Sequence, residues 1–140
     1  MIKKTNYLIE YARAMGYKII FVRHLEEEGD FSPANPNSEL ISELQMQEQD
    51  TLITKHKISA YYQTAMEQEL EGIQNIVVCG VLTNLCVRMF VEESYDRGFR
   101  IALIEDLTAA FSDELQEMTL EDLHSTRAGL TIVPLETFVA

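Results

Sequence analysis

The sequence predicts a doubly wound α/β fold, in which a parallel β-sheet carries helices on both faces. Short apolar runs such as KIIFV (18–22) and NIVVCG (75–80) are typical of strands that are buried on both faces. Segments whose apolar residues recur with a helical period separate these runs. Strands that alternate with helices in this way indicate a parallel sheet.

The elements follow one another closely along the chain. Gly16 stands where the first helix is expected to end, and Ser59, Thr83 and Ser112 are expected N-caps of later helices. The loosest stretch, EEEGDFSPANPNSE (26–39), has the composition of a surface loop. The predicted strands cover 18–22, 51–54, 75–80, 100–106 and 130–134, and the predicted helices cover 2–15, 39–46 (a weak one), 59–70, 83–97 and 112–123.

Length, charge and composition exclude several classes of protein. The 140 residues fit one domain, and a net charge of −12 argues against nucleic-acid binding, which needs clustered Lys and Arg. No apolar run approaches the roughly 18 residues that span a bilayer. The N-terminus lacks the apolar stretch of a signal peptide, and the 2 cysteines do not make a disulfide framework. We therefore expect a cytoplasmic protein that binds neither nucleic acid nor membrane.

The two cysteines occupy different environments in VVCGVLTNLCVRMF (77–90). The turn after Gly80 places Cys86 about three residues into a predicted helix, where unpaired N–H groups and the helix dipole favour the thiolate. The same N–H groups can hold an oxyanion. Cys79 closes an apolar strand, which favours a buried, unreactive thiol. Cys86 is therefore the candidate nucleophile.

Two lysines follow the second predicted strand, at the sheet edge where ligands bind in doubly wound folds. Lys55 or Lys57 would lower the pKa of a nearby thiol and orient a substrate carbonyl. On spacing alone, a solvated surface lysine is the more common outcome. Both alternatives stay open at this point.

The motifs GVLTNLCV and K-x-x-x-S-A-Y together resemble the isochorismatase-like cysteine hydrolases, which include nicotinamidases and N-carbamoylsarcosine amidohydrolase. The segments IIFVRH and YDRGFRIALIED fall in the order of that family. The resemblance implies that Cys86 is the nucleophile and Lys55, rather than Lys57, the catalytic lysine. It also implies a cis peptide between Val81 and Leu82, an oxyanion hole made of the Leu82 and Cys86 amides, and hydrolysis of a small amide or related C–N bond through a thioester.

One part of the family pattern is missing from this sequence. The family's first strand ends in a catalytic Asp, in a stretch similar to DMQNDF, and no such stretch occurs here. We therefore expect residues 1–140 to form a single, N-terminally incomplete domain with the 3-2-1-4-5-6 strand order and its first strand absent. Three explanations stay open: an incomplete version of a longer protein, direct pairing of KIIFV with IVVC, or a strand supplied by a partner chain.

The resemblance also bears on ligands and assembly. Nicotinamidases hold a metal through an Asp-x-His pair and a further His, whereas VRHLEEEGDF contains a single His24, so we expect no metal and no cofactor. His24 is a candidate for the substrate pocket, with an ordinary surface His as the alternative. Tyr61 and Tyr62 are further candidates, one for the pocket and one for the core. The family suggests a homo-oligomer, either a dimer or a tetramer.

Two functional classes compete. The first is a hydrolase that acts on a small-molecule amide. The second is a catalytically silent binding or assembly protein that keeps the fold without the family's Asp. A thiol redox protein is disfavoured, because the segment between Cys79 and Cys86 crosses a strand-to-helix turn instead of forming a C-x-x-C pair.

Overall fold

The computed structural model describes residues 1–140. Its contacts divide the chain into two compact units, residues 2–69 and residues 70–140, the second of which also includes Met1. Each unit combines a parallel β-sheet with helices. None of the helices has both the length and the apolar character that crossing a membrane would require.

The N-terminal unit, residues 2–69, contains a two-stranded parallel sheet. Its elements are α1 (Ile2–Ala14), β1 (Ile20–His24), a 3₁₀ turn (Pro36–Ser38), β2 (Thr51–Lys55) and α2 (Met66–Glu69). The register of β1 and β2 runs from Ile20 opposite Thr51 to His24 opposite Lys55. The last residues of the two strands, His24 and Lys55, are therefore neighbours at the carboxyl end of this sheet.

Helix α1 is held by two buried side chains and by one ion pair. Leu8 and Ile9 are its buried residues, and Gly16 ends the helical stretch with φ +72°, a conformation that glycine adopts without a steric penalty. Arg13 donates to both carboxylate oxygens of Asp50, at 2.8 and 3.0 Å. This two-pronged ion pair joins α1 to the residue that precedes β2.

The C-terminal unit, residues 70–140, contains a three-stranded parallel sheet in the order β3-β4-β5. Its elements are β3 (Asn75–Val81), a π-helical turn (Thr83–Val87), α3 (Arg88–Asp96), β4 (Arg100–Ala109), α4 (Asp113–Thr126), β5 (Leu130–Val133) and α5 (Leu135–Phe138). The register of β3 against β4 shifts between Val78 and Gly80, so that Gly80 lies opposite Thr108.

The core of this unit centres on β4. Leu103, Ile104 and Leu107 are fully buried, and Val91 of α3 and Leu123 of α4 are fully buried as well. Adjacent residues of a strand point to opposite faces, so the burial of both Leu103 and Ile104 shows that β4 is covered on both sides.

Several predicted elements differ in the structure. No helix forms over 39–46. The helix expected over 59–70 is reduced to α2, because the Ser59 hydroxyl accepts from the amides of Tyr61 and Tyr62 and closes a turn instead. The strand predicted at 18–22 lies two residues later. The cap at Ser112 is confirmed: its hydroxyl accepts from the Leu115 amide at 3.2 Å.

The strands pair as two separate sheets. β1 pairs with β2, and β3 pairs with β4, so the alternative in which KIIFV pairs directly with IVVC is wrong for this structure. The complete 3-2-1-4-5-6 order and the single-domain organisation of residues 1–140 stay predictions.

Candidate active site

The segment that carries Cys86 is a tight turn between β3 and α3. The peptide bond between Val81 and Leu82 is cis, at the position that the family resemblance implies. The Leu82 carbonyl then accepts from the amides of Leu85 and Val87, at 3.1 and 3.2 Å. The second of these is the i to i+5 bond of a π-helical turn, a geometry that is frequent at functional sites. Cys86 is the fourth residue of this turn.

The expected cap at Thr83 is wrong. Leu82 occupies the N-cap position and makes no side-chain capping bond, whereas Thr83 already lies inside the turn. The Thr83 side chain is fully buried, and its hydroxyl oxygen has no hydrogen-bond partner. The turn begins at the Leu82 carbonyl because Leu82, rather than Thr83, is the acceptor of the first two bonds.

Neither cysteine forms a disulfide, and both are half-buried. Cys86 is half-buried within the turn. Burial raises the pKa of the Cys79 thiol to about 11, since an apolar environment disfavours the thiolate. Cys79 is therefore almost entirely protonated at neutral pH, as expected for a structural cysteine.

Lys55 ends β2 and is buried, with 4% of its surface exposed. Its ammonium donates to the Lys57 carbonyl at 2.7 Å and lies 2.9 Å from Nδ1 of His24. Lys57 itself is exposed. Of the two lysines that the sequence offered, Lys57 is the solvated one and Lys55 is held inside the protein.

The structure brings His24 and Lys55 together and adds Glu26, a residue of the predicted surface loop. Nε2 of His24 lies 2.8 Å from a carboxylate oxygen of Glu26. The ring also makes an edge contact with Phe31, with 5.5 Å between centroids. A carboxylate two residues beyond a strand-end histidine was the only signal in the sequence.

The other candidate residues are divided between the two units. Tyr61 is buried and Tyr62 is more than half exposed, at 54%. Lys55, His24 and both tyrosines belong to residues 2–69, whereas Leu82 and Cys86 belong to residues 70–140. The structure thus groups Lys55 with His24, and groups Cys86 with Leu82.

The Cys86 turn is supported by β4 and α4, which pack against it. Gln116 of α4 donates its side-chain amide to the hydroxyl and the carbonyl of Thr108, at 3.0 and 3.3 Å. The carbonyl oxygens of the Asn84 and Gln116 side chains are buried without a hydrogen-bond partner. The contact of Gln116 with Thr108 was not found from the sequence, because it depends on how α4 packs against β4.

The donor set around His24 does not fit a metal ion. Both ring nitrogens are already engaged, one beside the Lys55 ammonium, and a second cation there would be repelled. No group of three or more His, Cys, Asp or Glu side chains is placed to hold a metal.

Three aspartates have partners elsewhere in the structure. Asp50 pairs with Arg13, Asp122 with Arg88, and Asp106 accepts from the Leu135 amide.

The chain is similar to known proteins in sequence and in structure. The chain is 38% identical to nicotinamidase 3 of Arabidopsis thaliana over 91 residues, which are 62% of this chain and 46% of that protein. It is 31% identical to the ureidoacrylate amidohydrolase RutB of Agrobacterium fabrum over 84 residues, which are 58% of this chain and 37% of that protein. The chain thus spans less than half the length of these two relatives.

The chain also resembles a solved structure and matches a family model. An isochorismatase-like hydrolase from Alkaliphilus metalliredigens superposes with a TM-score of 0.89, covering 99% of this chain and 81% of that one. At 23% identity this likeness concerns the fold alone, and it confirms the predicted α/β class. The model of the isochorismatase domain matches residues 1–134. The chain belongs to the isochorismatase family.

Proposed function

We propose that this protein is a cysteine hydrolase that cleaves a small amide or a related non-peptide C–N bond through a thioester at Cys86. The observation that carries the proposal is the position of Cys86 in the helical turn directly after β3. Two relatives in the family are named for amide hydrolysis, a nicotinamidase and a ureidoacrylate amidohydrolase. The substrate is a small molecule of this chemical class.

The turn supplies what a nucleophilic thiol needs. Backbone N–H groups at the start of a helix and the helix dipole stabilise the thiolate, the reactive form of cysteine. We assign the oxyanion hole to the amides of Leu82 and Cys86, which would hold the negative charge that develops on the substrate oxygen.

The reaction has two stages. The Cys86 thiolate attacks the carbonyl carbon, forms a C–S bond and moves an electron pair onto the oxygen. The C–N bond then breaks, and the nitrogen leaves as ammonia or an amine with the proton that the thiol released. Water attacks the thioester, a C–O bond replaces the C–S bond, and a carboxylic acid and the Cys86 thiol are formed.

Lys55 is the catalytic lysine of the proposal. Its ammonium is buried and held by hydrogen bonds rather than solvated. A fixed positive charge of this kind stabilises a thiolate or orients a carbonyl oxygen. Lys57 has the same side chain two residues away but is exposed, so it provides a matched control.

The oligomeric state and the cellular compartment are further parts of the proposal. We expect a homo-oligomer, a dimer or a tetramer, that acts in the cytoplasm on a soluble small molecule. Size-exclusion chromatography with light scattering would measure the oligomeric state directly. A monomer at micromolar concentration would contradict this part of the proposal.

The test is release of ammonia from a panel of small amides that includes nicotinamide and ureidoacrylate. We expect turnover by the wild type and by Cys79→Ala and Lys57→Met, and loss of turnover in Cys86→Ala and Lys55→Met. Turnover that persists in Cys86→Ala would overturn the assignment of the nucleophile. Binding of an amide without turnover in the wild type would favour the silent binding protein instead.

A further inference from the structure

The Lys55 ammonium has a neighbour that the thioester mechanism does not use. Nζ lies 2.9 Å from Nδ1 of His24, and the two residues are opposite each other in the register of β1 and β2. Because an ammonium has only donors, it must donate in this contact and Nδ1 must accept. The ring nitrogen facing Lys55 therefore carries no proton.

The contact of the second ring nitrogen of His24 indicates the same tautomer. Nε2 lies 2.8 Å from the Glu26 carboxylate, which is acceptor-only when ionised. Nε2 must then donate its proton to Glu26. Both contacts select one tautomer of the neutral ring, with the proton on Nε2.

The backbone around His24 holds this chain of contacts in place. The Leu25 amide donates to the Lys55 carbonyl at 2.9 Å, and the Glu26 amide donates to the Phe31 carbonyl at 2.9 Å. The Phe31 ring packs edge-on against the imidazole. Glu26, His24 and Lys55 are thus set by strand register and by a closed loop, and not by flexible side chains alone.

We propose that Glu26 and His24 are positioning residues that aim the Lys55 ammonium. The inference rests on the proposed function, in which Lys55 acts on the substrate or the thiol. Glu26 sets the tautomer of His24, and the unprotonated Nδ1 of His24 holds one N–H of Lys55, so the ammonium points in one direction. A displacement of about 1 Å of such a group can reduce a rate about a hundredfold.

The kinetic test compares variants that keep or remove the acceptor facing Lys55. Asparagine places its side-chain oxygen close to the position of Nδ1, whereas leucine offers no acceptor. We expect kcat to fall about a hundredfold in His24→Leu and about tenfold in His24→Asn, with KM nearly unchanged. Glu27→Ala, a change at the exposed neighbour of Glu26, is the matched control. Equal activity of the wild type and His24→Leu would overturn the inference.

The tautomer provides a test that does not depend on turnover. Nitrogen NMR of the isotopically labelled full chain distinguishes a protonated from an unprotonated ring nitrogen at neutral pH. We expect a proton on Nε2 of His24 and none on Nδ1, and a mixture of tautomers in Glu26→Ala. A proton on Nδ1, or a tautomer ratio that Glu26→Ala and Lys55→Met both leave unchanged, would overturn the inference.

The two tests keep this inference separate from the proposed function. If the protein does not hydrolyse amides, the wild type shows no turnover, yet the NMR experiment still decides whether Glu26 and Lys55 fix the tautomer. If the protein is a Cys86 hydrolase in which His24 only fills space, turnover is lost in Cys86→Ala and kept in His24→Leu.

Discussion

Gln116 of α4 donates its side-chain amide to the hydroxyl of Thr108 in β4 at 3.0 Å. Thr108 lies opposite Gly80, the second-to-last residue of β3, which leads into the Cys86 turn. The pair therefore joins α4 to the part of the sheet that supports the candidate nucleophile. The contact is part-buried, and the Thr108 hydroxyl itself donates to the Glu105 carbonyl at 3.1 Å.

We expect Gln116→Leu to lower the free energy of unfolding by about 1 kcal/mol, the net contribution of a part-buried hydrogen bond, because the Thr108 hydroxyl keeps its own bond to the Glu105 carbonyl. Urea denaturation measures this. Combined with Thr108→Val, the two losses should be less than additive, because both variants remove the same bond. Glu117→Gln on the exposed side of α4 is the control. Strict additivity in the double variant would contradict the assigned contact.

The ion pair between Arg13 and Asp50 predicts a pH dependence of stability. The hydrogen bond from Arg13 lowers the pKa of Asp50 below its ordinary value of 3.8. Because the folded-state pKa is the lower one, the stabilisation is fully present above the unfolded pKa and is lost as the pH falls through the folded pKa. The advantage of the wild type over Asp50→Asn in urea denaturation should therefore shrink on acidification below pH about 4.

The matched control for that experiment is Asp30→Asn, which changes an exposed aspartate in the same unit. We expect no comparable pH-dependent difference from the wild type. A stability gap for Asp50→Asn that stays constant on acidification would contradict the ion pair.

The two cysteines should differ in alkylation rate. With a pKa of about 11, Cys79 is a thiolate in only about one molecule in a thousand at pH 8. We expect one thiol, that of Cys86, to react rapidly with iodoacetamide in the native wild type, and Cys86→Ser to react slowly until it is unfolded. Rapid labelling of native Cys86→Ser would show that Cys79 is accessible and reactive.

The N-cap of α4 is a local stability determinant. Ser112→Ala removes the acceptor of the Leu115 amide and should lower the free energy of unfolding by about 1 kcal/mol. Thermal denaturation would show this as a lower Tm, and Ser112→Asp should restore it, since Asp caps as well as Ser. Ser125→Ala near the other end of α4 is the control. Equal losses for the two alanine variants would contradict a capping role.

Features that depend on neighbouring residues were predictable from the sequence. The cap at Ser112 and the helix end at Gly16 each rest on one side chain and the adjacent backbone. Cys79 lies in an apolar run, and desolvation there raises the pKa of its thiol although the residue is only half-buried. The strand predicted over 100–106 continues to Ala109 in the structure. The prediction ended too early because the polar residue Asp106 interrupts the apolar pattern, whereas in the structure its carboxylate accepts a hydrogen bond from the Leu135 amide.

Features that depend on register or on competing local bonds were not predictable. Ser59 closes a turn with its own hydroxyl where a helical spacing suggested a helix. The contact of His24 with Lys55 needs the register of β1 and β2, which sequence patterns do not specify. Glu26 then becomes a partner of His24 only because that histidine is already fixed.

The central claim is that Cys86 forms the thioester. The most direct measurement is an acid quench of the full-length chain during turnover of a reactive amide or ester analogue, followed by peptide mapping by mass spectrometry. We predict that the acyl group of the substrate is found on Cys86, and that Cys86→Ser carries no thioester. Turnover without any adduct on Cys86, with an equal rate in Cys86→Ser, would contradict the account.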